Sequence, residues 1–415
     1  MSDALPLPPR PNLEQYKKLA KDCQSACKSS DPGAIRDWAA RWAGAVEADR
    51  IEQWWRKFTK SSVRASRCML GDAQFFLARA HGFSSWPKFA GHLKALARAN
   101  SPVSRFEAAA EAIAGGDLSA LGTLLTESPE LVRSRSTREH RSTLLHYVSA
   151  NGVEDFRQKT PKNILGITQA LLKAGADVNA ESDAYGGRST PLGLTATSWH
   201  PESAGVQLAL MELLIEHGAI VEREDGASAV NSCLGNGRGQ AAGFLASRGA
   251  RLDLEGASGV GRLDVVKSFF ASDGSLKSTA TESQMKDGFA WACEFGRTGV
   301  VDFLLKRGMD PKAKLRHDGQ TGLHWAAYGG HADTVKLLLS SGAPIGAKDD
   351  RYGGTPLGWA LYGWQGSATR GRYYEAVALL VRAGATADPQ GAAVEKARSD
   401  PRMLAALRGE SEVKF

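Results

Sequence analysis

Five short phrases of this chain repeat one another. Residues 288–296 read GFAWACEFG, 321–330 TGLHWAAYGG, 355–363 TPLGWALYG, 143–152 TLLHYVSANG and 190–198 TPLGLTATS. Each leads into an apolar stretch that ends in Gly-Ala or a near relative, as at Gly175-Ala176, Gly218-Ala219, Gly249-Ala250, Gly308-Met309, Gly342-Ala343 and Gly384-Ala385. Gly274, Gly308 and Gly342 follow one another at intervals of 34 residues. A fixed period of this size marks a repeat architecture. One unit cannot bury its own apolar face, so neighbouring units must stack to make a core. Length alone, 415 residues, would suggest roughly three domains, and the repetition overrides that.

The unit has a readable local physics. Thr opens its first helix as an N-cap, and Pro suits the first turn. Leu323, Ala326 and Ala327 fall at i, i+3 and i+4 and form one apolar face. The small alanines let helices approach closely. Val335, Leu337, Leu338 and Leu339 supply the larger packing of the second helix, and Gly342 ends it in a left-handed C-cap.

These phrases resemble the ankyrin repeat, with its period of about 33 and its T-P-L-H-x-A signature. The unit that matches best runs over residues 318–347, with Gly322 in place of the family's Pro. The resemblance covers residues 105–390 as about eight units, starting near Phe106, Thr143, Thr190, Ser228, Leu252, Gln284, Thr321 and Thr355. It implies an all-α-dominated solenoid of helix-turn-helix units with short β-hairpin loops. A capping helix over 392–408, within a C-terminal segment 391–415, closes it. Units two, three and eight carry insertions at 153–163, 199–205 and 364–372, and unit five is short with no clear hairpin. Loops carry function more often than packed elements do, so the insertions are expected to hold what is particular to this protein.

Ahead of the repeats, residues 1–12 are Pro-rich and expected to be disordered, without the apolar core of a secretory leader. Residues 13–100 read as a small helical domain, with helices at 12–27, 32–43, 47–60, 70–81 and 85–97. Its phrases PNLEQ at 11–15, DAQFFLAR at 72–79 and GFSSWP at 82–87 resemble an N-terminal module of bacterial ankyrin-type proteins, a resemblance that implies no activity. Trp38, Trp42, Trp54 and Trp55 stand at helical spacings and read as core.

Net charge is +7, yet residues 1–100 carry 17 Lys/Arg against 9 Asp/Glu while the rest balances. The run Arg50, Arg56, Lys57, Lys60, Arg64 and Arg67 makes residues 1–100 a candidate nucleic-acid surface, or simply a solvated helix face. Five scattered cysteines, Cys23, Cys27, Cys68, Cys233 and Cys293, do not read as a disulfide framework and suggest free thiols in a reducing cytoplasm. Cys23 and Cys27 share a helix face but are too few for a metal site. No apolar run is long enough to span a membrane.

The first helices also define a groove. Residues two and five places after the core Leu share the face opposite the core, which the resemblance assigns to the concave side. There stand Trp291 and Glu294, Trp325 and Tyr328, and Trp359 and Tyr362, with the tryptophans spaced by 34 and 34. Stacked helices about 8–10 Å apart would make these a ladder. Tyr147 takes the equivalent place in unit two, and Tyr185 and Tyr352 sit at hairpin tips in the twin phrases DAYGG and DRYGG. Exposed aromatic patches mark binding, and Trp is a frequent hot spot. His146 and His324 occupy the family's TPLH position, where the resemblance implies a bracing role.

No HExxH, GxSxG, P-loop or GxGxxG motif is present, so no metal or cofactor is implied; the run GNGRGQ at 235–240 misses the Rossmann spacing. The acid/base candidate is Glu294, raised by burial among Trp291, Trp325 and Phe295. His317, Asp318, Asp350, Tyr352 and His200 are candidates to reach it. The leading expectation is a non-catalytic cytoplasmic scaffold gripping a peptide or protein. The alternative is a small-molecule site, or an enzyme doing acid/base chemistry on an apolar, aromatic or sugar ligand near Glu294.

Overall fold

The computed structural model describes residues 4–61, 68–222, 226, 228–315, 318–366, 371–387, 392–397 and 399–410. The chain divides into two compact units, residues 1–220 and 221–415.

The first unit begins with α1 (Leu13–Lys28), α2 (Ala34–Ala43), α3 (Ala45–Ser61), α4 (Leu70–Ala80) and α5 (Trp86–Leu96). Asn12 caps α1 by accepting from Glu14 N–H at 2.8 Å, and Ser85 caps α5 ahead of Pro87. Trp38 and Trp55 are buried with Ile51, Phe76 and Leu77, and Trp42 and Trp54 pack half-buried against them. The Pro-rich start is not disordered from Ala4 onward. Leu5 is buried, and its N–H donates to Ala80 O at 2.8 Å while its carbonyl faces His81 Nδ1 at 2.9 Å. An apolar Leu-Pro-Leu segment has a core to dock on, and docking outweighs the local lack of hydrogen bonds.

The free-thiol expectation also needs correcting. Cys27, at the end of α1, is bonded to Cys68, just before α4, with Cα atoms 5.8 Å apart. The packing of α1 on α4 closes a separation of 41 residues, which spacing alone cannot show. Cys23, Cys233 and Cys293 are buried free thiols. The thiol count therefore no longer argues for a reducing compartment.

Three helix pairs complete the first unit. They are α6 (Pro102–Gly115) with α7 (Leu118–Glu127), α8 (Leu144–Tyr147) with α9 (Ile164–Lys173), and α10 (Pro191–Thr197) with α12 (Gln207–Glu216), the short α11 (Trp199–Ser203) lying between the last two. The second unit stacks α13 (Ala229–Gly235) with α14 (Gly239–Ser247), α15 (Leu254–Val260) with α16 (Leu263–Ser268), α17 (Glu282–Glu294) with α18 (Thr298–Lys306), α19 (Gly322–Tyr328) with α20 (Ala332–Ser340), and α21 (Pro356–Gly366) with α22 (Gly371–Arg382). First helices pack on first helices and second on second. Leu323, Ala326, Ala327, Leu357 and Ala360 are wholly buried at the seam. Gly308 and Gly342 end α18 and α20 at φ 92° and 83°, the left-handed region that a Cβ disfavours.

Two local expectations change. The capping helix is two helices, α23 (Ala392–Ala397) and α24 (Pro401–Leu407). Pro401 cannot continue a helix, and Asp400 instead caps a new one through Arg402 and Met403 N–H. The hairpins are narrower than ladders: among the described residues they appear as isolated bridges, Arg135 to Thr143, Ser182 to Ser189, Phe270 to Leu276 and Leu315 to Gln320. The third of these follows α16, so unit five does have a hairpin.

Candidate functional site

The histidines of the TPLH position brace the hairpins. His324 Nδ1 accepts from Thr321 N–H at 3.0 Å, and its Nε2–H donates to Gly354 O at 3.1 Å. His146 does the same with Thr143 N–H at 3.1 Å and Ser189 O at 3.1 Å. Both rings must be neutral for this, and burial lowers both, His146 to about 4. Where Gly193 and Gly358 replace the His, the hydroxyls of Thr190 and Thr355 accept directly from the Gly N–H at 3.2 Å.

The C-terminal pairs bring four groove aromatics together. Trp325 and Trp359 meet edge-on with ring centres 5.3 Å apart. Tyr328 lies 5.7 Å from Trp359 and stacks on Tyr362 at 6.3 Å and 21°. Trp325, Tyr328 and Trp359 are half-buried, whereas Tyr362 is 70% exposed. Two positions are more enclosed than an open ladder requires. Trp291 is 7% exposed, stacks on Phe295 and donates from Nε1 to Glu255 at 2.7 Å. Trp359 Nε1 donates to Asp349 at 3.0 Å, and Asp349 also accepts from the N–H groups of Arg351, Tyr352 and Gly354. These indoles therefore tie first helices to neighbouring elements as well as lining a face.

Glu294 is half-buried at the end of α17, and its carbonyl accepts from His331 Nε2 at 2.7 Å. Asp350 and Tyr352 stand at an exposed hairpin tip. Asp350 pairs with Lys314 at 2.5 Å, Arg351 with Asp318 at 3.6 Å, and the Arg351 guanidinium covers the Tyr352 ring at 5.1 Å. His317 lies outside the described residues, as do Arg64 and Arg67 of the basic run. Within that run Arg50 pairs with Glu47 at 2.8 Å and Arg56 with Glu52 at 2.6 Å.

His200, Tyr147 and Tyr185 belong to the first unit. His200 is half-buried beside Trp199 at 5.5 Å, and burial lowers its pKa. Tyr185 is 70% exposed, and its hydroxyl donates to Asn151 at 2.6 Å. Tyr147 is not a groove residue. It is 1% exposed, and its hydroxyl donates to Glu154 at 3.3 Å inside the unit. Glu154, at the start of the insertion at 153–163, is what it reaches there.

That insertion completes a buried charge network that sequence reasoning missed. Arg138 hydrogen-bonds Glu107 at 2.5 Å and forms an ion pair with Glu154 at 2.9 Å, and Arg157 hydrogen-bonds Glu107 at 2.8 Å and approaches Glu154 at 3.6 Å. The Arg138 and Glu154 side chains are 2% and 1% exposed. Burial by itself would raise both carboxyls, but the guanidiniums overrule it and hold Glu107 and Glu154 below the usual range. Only the insertion's place between two helices hinted at it; the four residues come from three separate segments.

The family model described as ankyrin repeats (3 copies) matches residues 289–391, the last three helix pairs. Among solved structures the chain is similar to the crystal structure of the human ASB11 ankyrin repeat domain, at 23% identity over 67% of this chain and 99% of that one, with a TM-score of 0.33. No curated protein matches significantly. Among the described residues no helix is long and apolar enough to cross a membrane. The match places ankyrin repeats in residues 289–391, and the spaced helix pairs with Gly-ended second helices are those of an all-α solenoid fold.

Proposed function

We propose that the protein is a binding scaffold whose C-terminal repeats grip a peptide or protein segment through Trp325, Tyr328, Trp359 and Tyr362. Ankyrin repeats act broadly as protein–protein interaction scaffolds. The observation that supports this site is the exposed Tyr362 stacked on Tyr328 at 6.3 Å beside the Trp325–Trp359 pair. Four rigid aromatics on one face offer large contact area at low entropic cost, and such residues dominate interface energetics.

The test uses the whole protein in a selection against a displayed random-peptide library. Enriched peptides should bind wild type and lose about 2 kcal/mol or more with Trp325→Ala. Tyr362→Ala, whose side chain is largely in water, should weaken binding without changing the unfolding curve. A selection that enriches nothing, or peptides indifferent to both substitutions, would remove this face as the site.

A further inference from the structure

The Pro-rich strap ahead of α1 closes one side of a cavity of about 780 Å³ in the first unit, within the range of small-molecule sites, about 300–1,000 Å³. Leu5, Pro6, Leu7 and Pro8 make that side. Tyr16 and Leu19 of α1, Trp42 of α2 and Phe156 of the insertion continue the apolar wall. The strap is fixed at its deep end: Leu5 N–H donates to Ala80 O at 2.8 Å, and His81 Nδ1–H donates to Leu5 O at 2.9 Å. The His81 ring in turn meets Tyr16 and Trp42 edge-on, with ring centres 5.3 and 5.7 Å apart. Packing therefore shapes the cavity before anything enters it.

The charges of the lining are not all engaged. Arg50 takes both carboxylates, Glu47 at 2.8 Å and Asp155 at 3.8 Å, and Asp155 Oδ1 also accepts from Phe156 N–H at 2.9 Å. His81 adds no charge near neutrality, because burial lowers it to about 4. Arg41 remains. It lines the cavity from the last turn of α2, is exposed, and has no ion pair among the described residues. The Tyr16 hydroxyl and the Trp42 indole N–H likewise have no acceptor among them. The carboxylates of the wall are thus occupied while these donors are open. A guanidinium can only donate, and it matches a carboxylate through two parallel N–H bonds.

The surroundings point the same way. Residues 1–100 carry 17 Lys/Arg against 9 Asp/Glu, an excess that draws anions towards the module. We propose that this cavity binds a small apolar carboxylic acid, its carboxylate on Arg41 at the mouth and its alkyl or aryl body against the strap, Trp42 and Phe156. A cation would meet Arg41 with like charge. A bare inorganic anion would leave the apolar wall in water, and a neutral hydrocarbon would leave the guanidinium unpaired. A molecule with both a carboxylate and an apolar body uses both ends of the site.

The test is calorimetry on the intact protein with phenylbutyrate as the probe. Phenylbutanol keeps the body without the charge, and butyrate keeps the charge without the ring. Phenylbutyrate should bind, and each of the other two should bind on the order of tenfold more weakly or not at all. Arg41→Gln, at an exposed position where folding should be kept, should weaken phenylbutyrate by about tenfold. Lys57→Gln removes the same charge from an exposed site on α3 outside this lining, and should leave binding unchanged. Absence of heat with phenylbutyrate up to about 10 mM would overturn the proposal. So would phenylbutanol or butyrate binding as tightly as phenylbutyrate, indifference to Arg41→Gln, or an equal loss with Lys57→Gln.

Discussion

Lowering the pH from 7 to 5 should strip a large part of the first unit's stability, and the histidines set the size of the loss. His81, His92 and His146 are buried, and burial lowers each to about 4. His146 Nδ1 accepts from Thr143 N–H at 3.1 Å, which only a neutral ring can do; the bond of His81 Nδ1 to Leu5 O at 2.9 Å favours the charged ring, but burial outweighs it. In the unfolded chain each ring protonates near 6.5. Below that pH the unfolded state binds more protons than the folded one, so stability is complete above about 6.5 and falls as pH drops towards about 4. At pH 5 the unfolded rings gain about 1.5 pKa units of protonation free energy, about 2 kcal/mol each. Independent titration of the three would remove about 6 kcal/mol; a shared environment makes the true loss smaller. Against a typical total of about 5–15 kcal/mol that is decisive. Glu107 and Glu154 do not confuse the window, because their folded values lie below the usual carboxylate range and unfolded carboxyls titrate near 4.3. Urea unfolding followed by circular dichroism at pH 7, 6 and 5 measures the loss. His146→Asn, which keeps an acceptor for Thr143 N–H, should remove about a third of the pH dependence. Stability that stays flat from pH 7 to 5, or a folded-state NMR titration of His146 near 6.5, would refute the reasoning.

The remaining expectations are brief. Arg138→Met leaves Glu107 and Glu154 with one guanidinium, and should destabilise the first unit by about 3–5 kcal/mol in a urea titration; a loss under 1 kcal/mol would mean the network is solvated. Reducing the Cys27–Cys68 bond frees a 41-residue separation, and the loop-entropy account puts the cost near 4 kcal/mol, read as a lower urea midpoint with reductant present and unchanged by reductant in Cys27→Ser. Gly363→Ala should cost about 1–3 kcal/mol, because its Cβ would collide with the Tyr328 carbonyl; it should also loosen the Tyr328–Tyr362 stack, visible as a lost near-UV dichroism band.

The repeats were legible because they are a periodic signal. Leu323, Ala326 and Ala327 had to share a face at helical spacing, and they form the seam between stacked helices. The bracing role of His146 and His324 came from the family resemblance, since each ring reaches a carbonyl of the following hairpin, Ser189 and Gly354, which no single unit contains. Helix geometry put the groove positions on one shared face, and the resemblance assigned that face to the concave side. Which of them stay open depends on neighbours that no local pattern contains: Glu255 draws Trp291 inward and Asp349 holds Trp359.

From the sequence alone came the helix pairs, their caps and the character of the core, because each depends on residues within a few turns of one another. Tertiary structure alone decided the rest. Cys27 meets Cys68, Leu5 docks against the helical module, and Tyr147 turns inward rather than towards a partner. Glu107, Arg138, Glu154 and Arg157 converge from helix, hairpin and insertion. The energies of such encounters depend on distance and burial, and those quantities exist only once the chain has folded.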